Sequence, residues 1–369
     1  MPEGLRAYLR DPFLAQLYQR VRAAGSMRSI SVDLTNACNL RCQGCYYFSE
    51  GMDEGMDPPS DAEFEAFIQR ELDRGTNFVT VVGGEPSLQP DRLRALHRHF
   101  NINVATNGLI RIPTDGMETM PLGVAVWGAD STDRDLRGGG KIDVFGQALE
   151  NYRDDPRAFF YYTVVPGYAD EIESVVARCV ENGNPVLFNF YSDIDHLGPK
   201  FDGRNAFGPA LEAIDTVINR YPDMILLTRY LAETVATGLL YGQQWGHAVC
   251  TSLSIDHPVN QERLENGNPY NPHFKAYQAN LADTRRCCTG IDRDCGTCFD
   301  VWEHFSWVML NMRKHLGSQD EFTNWLTTMY LFYFINRLVD VDEGRRWLPE
   351  IHARTSRYRS IPELLASVG

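Results

Sequence analysis

The sequence predicts an α/β protein, a partial (β/α)6 TIM-like barrel with a C-terminal cysteine-rich and helical extension. Three observations lead there. Short β-branched or aromatic runs alternate with segments of helical period as far as residue 191, which implies parallel strands joined by crossovers. From about residue 241 that rhythm stops and cysteines accumulate. The chain has 369 residues, 43% of them hydrophobic and 23% charged, the profile of a globular protein with ample core.

The elements follow in order. Residues 3 to 25 show helical periodicity ending at Gly25, so 1–27 is expected as a helical extension. The expected strands are "SISVDL" (29 to 34), "NFVTVV" (77 to 82), "NINVAT" (101 to 106), "VAVW" (124 to 127), "FFYYTVV" (159 to 165) and "VLFNFY" (186 to 191). Between them lie helical patterns such as "DAEFEAFIQRELDRG" (61 to 75) and "ADEIESVVARCVENG" (169 to 183), and 205 to 240 also reads as helical. This places the barrel at 28–240 and the extension at 241–369. In such a barrel, chemistry gathers on the loops after the C-terminal ends of the strands.

Composition excludes some functions. A formal charge of −14 disfavours a nucleic-acid or anionic-lipid surface, because both need clustered Lys and Arg. No basic segment leads into an apolar stretch at the start, so a cytoplasmic location is expected. The apolar segment "WLTTMYLFYFINRLV" (325 to 339) is broken by Asn336 and Arg337 and reads as a buried helix, not a membrane span. In a reducing compartment the nine cysteines point to metal ligation or catalysis rather than disulfides.

Three of them, Cys38, Cys42 and Cys45, sit just after the first strand. Three close thiolates would hold an iron–sulfur cluster by three irons and leave the fourth open, whereas a zinc site wants four protein ligands. "VVGGEPSL" (81 to 88) puts Gly83, Gly84, Glu85 and Pro86 after the second strand, and "VATNGL" (104 to 109) puts Thr106 and Asn107 after the third. Glycines let backbone approach a ligand, and a carboxylate suits a cation. This CxxxCxxC–GGEP–TNG arrangement, spanning roughly residues 28 to 195, resembles the radical S-adenosylmethionine superfamily. The resemblance implies a [4Fe–4S] cluster on Cys38, Cys42 and Cys45 and S-adenosylmethionine on the GGEP loop, Thr106 and Asn107. It further implies Asp130, Ser131 and Arg137 as ribose or carboxylate contacts. The residue before the third cysteine, commonly aromatic there, is Gly44 here, which leaves Tyr46 as the neighbouring aromatic.

"HAVCTS" (247 to 252) and "RRCCTGIDRDCGTCFDVW" (285 to 302) form a second cysteine group, loosely like the SPASM and twitch extensions of that superfamily. Cys250, Cys288, Cys295 and Cys298 are its expected ligands for a second [4Fe–4S] cluster or a zinc ion. Adjacent Cys287 and Cys288 cannot both face one metal, so one of them is a catalytic candidate, a spare thiol able to donate a hydrogen atom. Asn189, Tyr191, Asp193, Asp195 and His196, after the sixth strand, are candidate contacts to a hydroxyl- or amine-rich substrate. The expected activity is hydrogen abstraction from a small polar metabolite (sugar, aminocyclitol or nucleoside-like), giving dehydrogenation or epimerisation, with flavodoxin or ferredoxin as electron donor. A maturase of ribosomal peptides and a non-catalytic metal-binding scaffold are the alternatives.

Overall fold

The computed structural model describes residues 3–49, 51, 56–192, 206–240, 243–266, 270–289 and 295–355. Its frame is β1 (Ser29–Asp33), β2 (Phe78–Val82), β3 (Asn101–Thr106), β4 (Leu122–Val126), β5 (Ala158–Val164) and β6 (Val186–Phe190). These strands are parallel and pair in chain order, Ser29 with Phe78, Phe78 with Asn101, Val104 with Leu122, Leu122 with Ala158 and Phe160 with Val186. Each is within two residues of its expected position, because β-branched runs flanked by turn residues leave little freedom of boundary.

Beyond β6 the chain returns to the opposite edge. Strand β7 (Ala276–Tyr277) runs parallel to β1, and β8 (Thr284–Arg285) lies antiparallel to β7. Residues of the cysteine-rich extension thus belong to the barrel's own sheet.

Helices cover the outside. They are α1 (Pro12–Ala24), α2 (Asp61–Arg74), α3 (Pro90–His99), α4 (Asp130–Leu136), α5 (Val144–Asn151), α6 (Ile172–Glu181), α7 (Gly208–Arg220) and α8 (Arg229–Thr237). The segment expected as one helix over 3–25 is split by Asp11 and Pro12. Asp11 caps α1 by accepting from Phe13 N at 2.9 Å, and Pro12, lacking an N–H, suits a first helical position. A capping box of Ser60 and Glu63 starts α2, and Gly75 at φ +80° ends it.

Three more helices, α9 (Val301–Leu310), α10 (Gln319–Ile335) and α11 (Val341–Arg354), close the molecule. Helix α10 is buried almost all round and packs on α1 and α9, as the apolar run at 325–339 requires. Among the described residues no helix is long and apolar enough to cross a membrane. Asn336, just past α10, accepts from Asn103 Nδ2 at 2.7 Å, which ties the end of the helix to β3.

Candidate active site

The loop after β1 carries Cys38, Cys42 and Cys45 across the C-terminal end of the sheet. It is tied to the loop after β2 by two backbone bonds, Gly84 N to Thr35 O and Glu85 N to Ala37 O, both at 2.8 Å. Glycine makes this approach possible. A Cβ on Gly84 would lie 2.0 Å from Ala37 O, and one on Gly83, at φ +112°, would lie 2.8 Å from Thr35 O. The glycine pair therefore serves the packing of one loop on another.

Glu85, an expected part of the cofactor loop, turns its carboxylate inward and is 1% exposed. Oε1 accepts from Ser87 N at 2.9 Å and Thr106 Oγ1 at 2.7 Å, and Oε2 accepts from Asn107 N at 2.8 Å. Three buried donors converge where two loops meet, and an ionised carboxylate satisfies them all. Thr106 is accordingly a brace. Pro86 is buried in the turn that follows. Asn107 turns to the cysteines, with Nδ2 4.0 Å from Cys38 Sγ and 2.6 Å from Asn39 Oδ1. Leu40 N also donates to Cys38 Sγ, at 3.5 Å. The thiols act on one another, and burial pushes all three up, Cys42 to about 12.

Two further expectations move. Asp130 pairs with Arg178 of α6 and, like Ser131, sits on the exposed face of α4. Arg137 is 2% exposed and bound to Asp133 at 3.0 Å, Ala125 O at 2.8 Å and Asn107 O at 3.2 Å. Its guanidinium is therefore held by protein partners, because a buried charge needs a fixed counter-charge.

Inside the barrel lie two cavities of about 540 and 250 Å³ that share Tyr46, Thr80, Asp300 and Trp302. Burial holds the Tyr46 phenol well above its ordinary range. Gly44, at φ +65°, lines the smaller cavity, and a Cβ there would lie 2.0 Å from the Tyr191 hydroxyl. Tyr191 in turn meets Trp127 edge-on at 5.6 Å. The aromatic wall beside the third cysteine thus comes from the ends of β4 and β6. Asn189 also lines this cavity, but its Oδ1 accepts from Val301 N at 2.9 Å and anchors the start of α9. Asp193, Asp195 and His196 lie outside the described residues.

The second cysteine group divides. Cys250, Cys287, Cys295 and Cys298 surround a small cavity of about 30 Å³. Cys288 lines the large barrel cavity instead, its thiol bonded to Glu303. Cys287, rather than the expected Cys288, is thus the one that faces the other three cysteines. An antiparallel bridge between Leu253 and Cys287 fixes this, since neighbours in an extended chain face opposite sides. Among the described residues, no three His, Cys, Asp or Glu side chains converge as ligands of a single ion would. Asp300 caps α9 and accepts from the Tyr161 hydroxyl at 3.4 Å. Burial and Asp300 together push Glu303 up to about 7. Sequence reasoning missed Trp127, Tyr161, Asp300, Trp302 and Glu303. The one signal for them is the "CFDVW" run, where Asp300 precedes a helical pattern.

Residues 32–192, which enclose the cysteine loop, the GGEP loop and the C-terminal ends of β1 to β6, match the Radical SAM superfamily. These residues are a radical SAM domain. It is 28% identical over 186 residues to the sporulation killing factor maturation protein SkfB of Bacillus subtilis, covering 45% of this chain and 44% of SkfB. It is 29% identical over 90 residues to GTP 3′,8-cyclase of Actinobacillus pleuropneumoniae, covering 22% and 24% of the two chains. The chain thus spans less than half the length of these curated relatives. The solved structure of anSMEcpe with bound AdoMet aligns over 80% of this chain and 84% of its own, with 16% identity and a TM-score of 0.49. Radical SAM proteins are enzymes that use a [4Fe–4S] cluster and S-adenosylmethionine, so the scaffold alternative falls. The residues fit those cofactors: three neighbouring thiols at the strand ends, two N–H donors facing Cys38 Sγ, and a barrel cavity alongside.

Proposed function

We propose that this radical SAM enzyme abstracts a hydrogen atom from a small polar metabolite, of the sugar, aminocyclitol or nucleoside class, and returns one to the opposite face. The net reaction is an epimerisation. Cys38, Cys42 and Cys45 hold the cluster, while Gly83 to Pro86, Thr106, Asn107 and Tyr46 frame S-adenosylmethionine. The cluster and cofactor together supply a 5′-deoxyadenosyl radical when bound, a chemistry that belongs to the cofactor. The chain's part is to hold the substrate between Tyr46, Tyr161, Trp302 and Asp300, to exclude water, and to present the Cys288 S–H.

The observation that carries this reading is the position of Cys288, which opens on the large barrel cavity while Cys287 turns to the other cysteines. The hydrogen account balances. The substrate C–H gives a hydrogen atom to the deoxyadenosyl radical, and the Cys288 S–H gives one back to the substrate radical. One electron and one proton, from a donor of the flavodoxin or ferredoxin class, then restore the thiol. Cys250, Cys287, Cys295 and Cys298 would hold a second [4Fe–4S] cluster beside it.

A second reading takes a residue of a peptide as the substrate, and the match to a protein named for maturation supports it. One experiment tests both. Reconstituted enzyme is supplied with S-adenosylmethionine and reductant in deuterated buffer, together with panels of aminated sugars, nucleosides and short peptides. One deuterium at a single inverted carbon, lost in Cys288→Ser, supports the hydrogen return and shows which panel holds the substrate. A product oxidised by two electrons, with Cys288→Ser unaffected, overturns it in favour of dehydrogenation.

A further inference from the structure

The buried Asp133–Arg137 pair is a charge arrangement near the cysteine loop that the reaction above leaves without a role. Asp133 sits in the middle of α4 and Arg137 caps its end, with side chains 0% and 1% exposed. Burying an ion pair costs about as much as its attraction returns, so a fold gains little from one for stability alone. This pair is also held with unusual rigidity. Arg137 Nη1 reaches Asp133 Oδ1 at 3.0 Å, Oδ2 at 3.3 Å and Ala125 O at 2.8 Å, and Nη2 reaches Asn107 O at 3.2 Å. Asp133 Oδ1 also accepts from Trp127 N at 2.8 Å. The contacts come from the ends of β3 and β4, the strand ends that frame the site.

The pair has a direction. Arg137 Nη2 reaches Asn107 O at 3.2 Å, and Asn107 Nδ2 lies 4.0 Å from Cys38 Sγ, so the guanidinium borders the cysteine loop, whereas Asp133 Oδ1 turns to Trp127 N. The pair's positive end is thus the one turned to the cysteines. Gln43 N, next to Cys42, donates to Leu136 O at 2.7 Å, so cysteine loop and helix end move as one unit. Reduction adds an electron to whatever the three thiolates hold, and charges beside cluster sulfurs set how readily that happens.

We propose that the Asp133–Arg137 pair is a positioning device that sets the reduction potential of the cluster on Cys38, Cys42 and Cys45. It rests on the reading of those three cysteines as ligands. The guanidinium favours the reduced cluster, and Asp133 offsets part of that effect. Loss of either charge then moves the potential in opposite directions, an outcome that a merely structural pair does not produce.

The test is a redox titration of the reconstituted protein, followed by the electron paramagnetic resonance signal of the reduced cluster, without substrate. Asp133→Asn leaves the guanidinium uncompensated and is expected to favour reduction about tenfold, a rise of about 59 mV for one electron. Arg137→Gln leaves a carboxylate beside the cluster and is expected to lower the potential by at least as much. The double variant Asp133→Asn/Arg137→Gln buries no lone charge, which protects its fold, and is expected to lie below wild type and above Arg137→Gln. Arg137→Lys keeps the charge and is expected to remain within about threefold of wild type. Potentials unchanged in the double variant, or single variants shifting the same way, would overturn the proposal. A triple Cys38, Cys42, Cys45→Ala variant that keeps this signal would instead show that the ligand reading had failed.

Discussion

Replacing Glu85 by Gln separates two roles for the GGEP carboxylate. The side chain keeps its shape but loses its charge and one acceptor oxygen. With the amide oxygen at the Oε1 position, the Ser87 and Thr106 bonds of 2.9 and 2.7 Å survive, while the amide nitrogen confronts Asn107 N at 2.8 Å. Turned over, it confronts Ser87 N and Thr106 Oγ1 instead. A lost charge-assisted bond costs about 1.5–3 kcal/mol and an unpaired buried donor about 1–3 kcal/mol more. The sum, about 2.5–6 kcal/mol, is a large part of the roughly 5–15 kcal/mol that holds a domain folded. With a urea dependence of about 3 kcal/mol per molar, the unfolding midpoint falls by about 1 M or more. The assay is urea unfolding of cluster-free protein by tryptophan fluorescence, with S-adenosylmethionine affinity measured by equilibrium dialysis on reconstituted protein. A midpoint within about 0.2 M of wild type, beside a tenfold loss of affinity, would refute the inward brace and restore the carboxylate to the ligand.

The other expectations are as follows. Cys287→Ser should lower iron from about eight to about four per chain, whereas Cys288→Ser leaves the content unchanged; equal losses in both would contradict the division of the pair. His315 and His352 are buried and pushed down to about 4, so the fold holds them neutral while the unfolded chain protonates near 6.5. Stability should therefore fall as pH drops from about 6.5 towards 4, by about 3 kcal/mol for each histidine, and His315→Gln should flatten that slope in unfolding measurements across the range. Asn189→Leu removes the acceptor for Val301 N, at a cost of about 1–3 kcal/mol. Hydrogen exchange should then quicken at residues 299–303 before it does elsewhere.

What was legible in the sequence was local. The six strands announce themselves by β-branched composition, and the cysteine and GGEP loops by spacing at strand ends, because each signal fits within a few residues. Strand β7 is hidden for the opposite reason. Two residues show no alternation, and the reason they pair with β1 lies more than two hundred positions away. Side-chain direction in loops is equally remote. Glu85 turns inward because Thr106 and Asn107 bring donors to it, and Arg137 because Asp133 and two carbonyls enclose it. Cys287 and Cys288 are indistinguishable as text, and only the bridge from Leu253 assigns their sides.

Gly44 and Tyr191 occupy a single volume, since a Cβ at 44 would come within 2.0 Å of the tyrosine hydroxyl. Seen as inheritance, the two positions are one locus. A side chain at 44 requires the tyrosine ring at 191 to move aside or the residue there to be smaller, whereas glycine at 44 leaves a large residue at 191 in place. The sizes at these positions should therefore be anticorrelated among relatives, so that the aromatic wall is supplied either by the cysteine loop or by the end of β6.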